Sequence, residues 1–387
     1  MNYIKLGQAI SRAKVSRCGD NDYPVLSITM KDGIVMQSDK FKKRIASKDI
    51  SEYKVIPAGM LVQGIHMDEG NFGIQDIVPY GIVSPAYTVW TVDESVVFPK
   101  YIEMVLRSPR CIDYYRSKLN GTVNRRGHMS EGDFLGMQIP CPSIEEQKYV
   151  VTTMNQVKQV MISLTEEMTA LHQLIKARFV EMFGDPISNP LNWDTYQLGE
   201  CLTRIDNGKS FICSDKPRNG NNPAVLKLSA ATYGDYRPSE NKAILDEGMF
   251  IESAEVHSGD LLFTRKNTPE LVGMAAYVHE TPPNLMMPDL IFRLVPNERM
   301  NAVFLWQLIN CKEFRPVIQG ISGGSAKSMS NISKERLGKI RVICPPRSAQ
   351  DELIPFISQV DKSKVVVQEA LDKAQLLFDS LMQEYFG

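Results

Sequence analysis

IPCPSIEEQKYVVTTMNQV, residues 139 to 157, falls on VICPPRSAQDELIPFISQV, residues 342 to 360, when the sequence is slid against itself by 203 residues. Cys141-Pro142 falls on Cys344-Pro345, Gln147 on Gln350, and Gln156-Val157 on Gln359-Val360. The register continues without a gap until Glu181, Phe183 and Gly184 meet Glu384, Phe386 and Gly387. Similarity at so long a period implies two duplicated halves, unlike the short stacked units of a solenoid.

Inside the first copy, apolar residues recur at Val150, Met154, Val157, Met161, Leu164, Met168, Leu171 and Ile175. Steps alternating between four and three make the seam of a coiled-coil helix. The second copy places Leu353, Ile357, Val360, Val367, Leu371, Ala374 and Phe378 in the same phase, with Lys364 the one departure. Prolines stand ahead of both runs, where they interrupt no helix hydrogen bond, while Pro355 sits early in the second and delays or kinks its start. A lone helix of about 40 residues would be about 60 Å long with its seam in water. Two unrelated helices, each packed on its own domain, are the bland alternative. Matched length and phase favour pairing within the chain. Because the first helix leads from one globular unit to the next and the second returns, the pair is expected to be antiparallel, with EYFG beside the start of the chain.

About 140 to 155 residues of mixed, strand-rich sequence precede each helix. IKLGQAISR (4–12) resembles YQLGECLTR (196–204), and a Gly turn feeds a strand in both IPAGMLVQGI (56–65) and VHSGDLLFTR (256–265). FPKYIEMVLRS and AVFLWQLINC predict matching helices, each followed by a Gly-bearing polar loop, at 119–130 and 321–330. Elsewhere the halves agree poorly: one fold carries two surfaces.

The doubled Pro-rich step, the two long helices with their Phe-Gly endings, and the repeated Leu-Gly approach (Leu135-Gly136, Leu337-Gly338) resemble the specificity subunit of type I restriction-modification systems over essentially the whole chain. ICPPRSAQDE departs from the usual IPxPxxxEQ form, which leaves the second helix start less defined. The resemblance implies an α+β fold in which two mixed α/β target recognition domains, related by an approximate twofold, are separated by a long antiparallel two-helix coiled coil. The expected boundaries are 1–142 for the first recognition domain, 143–184 for the first conserved spacer helix, 185–345 for the second domain and 346–387 for the second helix. It also implies a noncatalytic DNA-binding subunit that reads an asymmetric bipartite site in double-stranded DNA. Two methyltransferase subunits would dock on the helices and restriction subunits would join through that core. S-adenosylmethionine, ATP and Mg2+ would be used by those partners, with no cofactor bound by this chain. A specificity subunit of a fused, type IIB-like restriction-methylation enzyme shares the repeat and is the alternative.

The bulk numbers fit an ordinary folded protein: 387 residues, 43% hydrophobic and 23% charged. No apolar run reaches the roughly 20 residues of a membrane span, and no signal core follows the basic start, so a cytoplasmic location is expected. Seven cysteines without a C-x-x-C pair indicate neither a disulfide framework nor zinc. Five scattered histidines set no ligand spacing. A net charge of −1 confines any DNA contact to local patches.

Phosphates call for Lys and Arg, and base edges for Arg, Lys, Asn, Gln or Ser on loops that enter a groove. The first half offers Lys40, Lys42, Lys43 and Arg44, then Asn124, Arg125 and Arg126. The second offers Asn207, Lys209 and Ser210, then Arg265, Lys266 and Asn267, then Ser325 and Lys327. A charge cluster is usually a solvated face; family context and the matched loops at 124–126 and 325–327 raise these above it. NGKS at 207–210 is no phosphate loop, since Thr203 stands where G-x-x-x-x-G-K-[ST] requires glycine. TPPN, CPPR and Pro288-Asp289 likewise complete neither a methyltransferase nor a nuclease motif. An enzyme with an unfamiliar site and a plain coiled-coil adaptor are the remaining, weaker readings.

Overall fold

The protein is described here by a computed structural model, which covers residues 2–40, 49–118, 129–323 and 329–387. It divides into two compact units, Met1–Thr165 with Gln368–Gly387, and Glu166–Val367. Each unit therefore takes one half of each long helix.

The duplication is visible in strand topology. In the first unit Ile10–Arg12, Thr88–Val92, Leu61–Gln63 and Phe72–Ile74 form, in that order, a four-stranded antiparallel sheet. The second repeats it with Leu202–Asn207, Ile291–Pro296, Leu261–Thr264 and Ala275–Tyr277. Both units also pair their first strand with the strand leading to the long helix: Tyr3–Lys5 with Gln138–Pro140, and Thr195–Gln197 with Arg341–Ile343. The additions differ. Two two-stranded antiparallel sheets enlarge the first unit, and a three-stranded sheet with one parallel pairing enlarges the second.

The helices expected before the polar loops are Pro99–Leu106 and Ala302–Asn310. Pro opens the first at a position where no backbone N–H is needed, and the Asn301 side chain caps the second by accepting from Val303 N and Phe304 N. Their apolar faces, Tyr101, Val105 and Leu106 against Phe304, Leu308 and Ile309, are all fully buried. Sequence reading missed the helix Pro109–Lys118, whose charged residues blur its period.

The first long helix runs Ile144–Phe183 and stops at Gly184, whose φ of +73° is the left-handed conformation that glycine adopts without strain. The second is interrupted near its start: a short helix, Arg347–Asp351, precedes the long one, Leu353–Phe386. Pro355 explains the break, because it has no N–H to give to Asp351 O and its ring crowds that carbonyl.

Of the seam, Val150, Met154, Ile175, Leu353, Ile357, Val360, Val367 and Ala374 are buried, and the remaining members are half-buried. In the first unit the early part of the first helix meets the end of the second: Lys158 lies over the Phe378 ring at 5.6 Å, and Val150 and Met154 share a core with Phe386. In the second unit the order is reversed, with Arg178 over Phe356 at 5.8 Å and Ile175 and Phe179 in a core with Leu353 and Ile357. The two helices are therefore antiparallel. Chain end and chain start meet inside the first unit, where Arg110 Nη1 donates to Tyr3 Oη (2.9 Å) and to Gly387 O (3.4 Å).

Candidate nucleic-acid interface

In the second unit, the strand Leu202–Asn207 ends, Leu261–Thr264 ends and Ile291–Pro296 begins at one end of the sheet, as antiparallel neighbours must. Their loops are laced together there. Gly208 N donates to Ile291 O (3.2 Å), Lys209 N to Met287 O (3.1 Å), Arg265 N to Leu290 O (3.0 Å) and Ile332 N to Arg265 O (2.8 Å). The two candidate stretches 207–210 and 265–267, separate in sequence, thus share one edge. Gly208 is required for this: a Cβ there would stand 1.9 Å from Pro288 O. The NGKS glycine serves a backbone crossing, and no phosphate cradle.

Within the edge, the candidates divide. Asn207, Lys209 and Ser210 are exposed, and Lys266 is half-buried. Arg265 lies over the Phe292 ring at 4.9 Å and donates from Nη2 to Asn331 Oδ1 (3.2 Å), so its guanidinium is held on the protein. Asn267, unlike the exposed candidates, is buried: its Nδ2 donates to Thr232 Oγ1 (3.1 Å), and its Oδ1 accepts from Thr268 N. Burial, with one donor and one acceptor engaged inside the unit, sets it apart from its exposed neighbours. Lys334, not singled out in the sequence, also reaches this edge: it donates to Ile205 O and lies 5.8 Å over the Phe292 ring. Its signal was faint: a helix-capping Ser333 immediately before a basic residue.

In the first unit Lys40 ends a short helix, Gln37–Lys40, and is paired with Asp32 at 2.6 Å. That hydrogen bond holds the Asp32 carboxyl below its ordinary range. Lys42, Lys43, Arg44, Asn124, Arg125, Arg126, Ser325 and Lys327 lie outside the described residues.

Lys364, the odd member of the seam, also finds its reason here. Its Nζ is 3.1 Å from Asp361 Oδ1 and 3.9 Å from Asp235 Oδ1, while His172 Nε2 of the first helix reaches Asp235 Oδ2 at 3.4 Å. His279 Nε2 meets Asp361 at 3.3 Å. These contacts fasten both long helices to the globular part of the second unit. Among the described residues, no group of three or more His, Cys, Asp or Glu is placed to hold a metal ion, and no helix is long and apolar enough to cross a membrane.

No protein-family model matches the chain. The type I restriction enzyme EcoEI specificity subunit of Escherichia coli is 30% identical over 192 residues, 49% of this chain and 32% of that protein. The match thus spans about a third of the relative's length. Among solved structures, a chain from work on complex assembly and conformational transition of the type I R-M system is 16% identical with a TM-score of 0.59, covering 100% of this chain and 97% of its own. The type I restriction-modification S subunit of M. genitalium is 13% identical with a TM-score of 0.56, covering 100% and 96%. In sequence over about half its length the chain is similar to a type I restriction enzyme specificity subunit, and in fold throughout it is similar to solved chains of type I restriction-modification systems.

Proposed function

We propose that this chain is the DNA sequence-specificity subunit of a type I restriction-modification system, acting in the cytoplasm and catalysing nothing by itself. Each recognition domain reads one half of an asymmetric bipartite site, and the opposed helices set the unread gap and dock two methyltransferase subunits. Restriction subunits join through that core. Cofactor chemistry, with S-adenosylmethionine, ATP and Mg2+, belongs to those partners.

One observation carries this reading: the same four-stranded topology occurs twice, each time joined to half of an antiparallel helix pair, while the added strands and loops differ between the copies. Modules of one fold with unlike edges suit two unlike half-sites, and a stiff connector ties half-site spacing to protein geometry. The exposed Asn207, Lys209 and Ser210 supply phosphate and base-edge chemistry at one such edge. The named relatives are type I subunits, so nothing favours the fused type IIB alternative.

Mapping methylated adenines across the genome of a host expressing the system tests the proposal. A two-part asymmetric motif with a constant gap is expected. A continuous or palindromic motif would sink it.

A further inference from the structure

The three-stranded sheet that enlarges the second unit has Asn241–Ala243 as one edge strand. Along that edge runs the segment that follows Lys209 and Ser210, so the two make an antiparallel ribbon. Cys213 stands opposite Ile244, with Ser214 N donating to Ala243 O (2.8 Å) on one side and Leu245 N to Ile212 O (3.3 Å) on the other. This register makes Ile212 and Leu245 direct cross-strand neighbours on one face. Successive side chains of a strand alternate, and the two faces separate accordingly. Phe211, Cys213 and Ile244 pack inward with Val225, Ala254 and Met286, whereas Ile212 and Leu245 are 69% and 67% exposed.

Two aliphatic side chains held side by side in water mark an interaction surface, and their surroundings say of which kind. They continue the segment that begins with Lys209 and Ser210, both exposed at the sheet edge described above. Lys216 is exposed just beyond Ser214, and Lys242 on the paired strand lies 3.2 Å from Asp215. The acidic neighbour Asp246 is engaged locally, its Oδ1 accepting from Gly248 N (2.9 Å). Lysines on both sides of an aliphatic pair match a duplex: phosphates attract the cations, and the major groove admits a two-stranded ribbon. That groove carries one apolar feature, the thymine 5-methyl group.

On the reading of this chain as a DNA-specificity subunit, we propose that Ile212 and Leu245 are specificity-determining residues of the second unit. The ribbon enters the major groove, the aliphatic pair seats a thymine methyl, and Lys209 and Lys216 lie on flanking phosphates. An aliphatic contact of this kind distinguishes thymine from cytosine, which has no 5-methyl group. The ribbon belongs to the part of the fold in which the two units differ, and unlike half-sites have to be read by unlike parts.

The test uses the assembled complex of this chain with its methyltransferase subunits, and duplexes carrying the bipartite motif found by methylation mapping. Each thymine of both half-sites is replaced in turn by deoxyuridine, which keeps the pairing edge and removes only the methyl. Expected is a loss of affinity of about fourfold or more at one or two thymines, all within one half-site. Ile212→Ser combined with Leu245→Ser, both at exposed positions, should abolish that sensitivity while the gap, the other half-site and the assembly of the complex stay unchanged. Indifference to deoxyuridine throughout the motif overturns the inference, as does a sensitivity that the double variant retains. Failure of the double variant to assemble with the methyltransferase subunits overturns it too, by assigning the pair to a protein contact. In each of these cases the bipartite motif stands; its absence in the wild type would bring down the parent reading, and this inference with it.

Discussion

Gln147 and Gln350 show how much one repeated letter can carry. Both are fully buried, and their amides make the same bonds. Gln147 Oε1 accepts from Phe98 N (2.7 Å) while its Nε2 donates to Pro142 O (2.9 Å); Gln350 Oε1 accepts from Asn301 N (2.8 Å) while its Nε2 donates to Pro345 O (2.7 Å). Each glutamine latches the root of a long helix to the start of the helix Pro99–Leu106 or Ala302–Asn310. Gln350→Ala would leave Asn301 N and Pro345 O unsatisfied in the interior, and a loss of about 2–3 kcal/mol is expected in urea unfolding. A second residue-scale prediction concerns His172, whose imidazole is held above its ordinary value by the bond to Asp235. Because the folded value exceeds the unfolded one, the pair's contribution is complete below the ordinary value of 6.5 and fades as pH rises through the folded value. His172→Gln should therefore lower Tm more at pH 5.5 than at pH 8.5; an equal loss at both would remove the ion pair from the account. At the sheet edge, Lys209→Glu should weaken DNA binding across all sequences and shrink the slope of log K against log salt by at least about 0.9, measured by a salt titration of affinity.

Helices were the most legible elements because a seam repeats every 3.5 residues over some ten turns, and a local period needs no knowledge of the partner. Gly184 and the prolines marked the ends, and Pro355 marked a break that the structure places at Glu352. Strands within a few residues of a Gly turn were also readable. Short helices such as Arg315–Gly320 were not, having too few turns to establish a period. The ruler idea belongs at this scale. Four residues added to each long helix at matching seam positions lengthen it by about 6 Å, between one and two base pairs at about 3.4 Å each. Methylation mapping should show a correspondingly longer gap with unchanged half-sites; an unchanged gap would refute the ruler.

For the molecule as a whole, the end of the chain is a structural component of its first unit. Phe386 is buried and packs on Tyr101 at 5.6 Å, as Phe183 packs on Phe304 at 4.8 Å in the second unit. Phe386→Ala is expected to cost about 3–5 kcal/mol, read as a lower urea midpoint, with the loss confined to probes in the first unit if the two units unfold separately. What sequence alone settled was the duplication, the antiparallel helix pair and the matched helix that precedes each polar loop. All three follow from periodic or repeated patterns, and repetition survives without coordinates. The tertiary structure decided which polar residues share the sheet edge, that Asn267 is internal, and that Lys364 in the seam answers Asp235. Those meetings join residues from tens of positions to more than a hundred apart, through loops with no period, so only the folded chain brings them together.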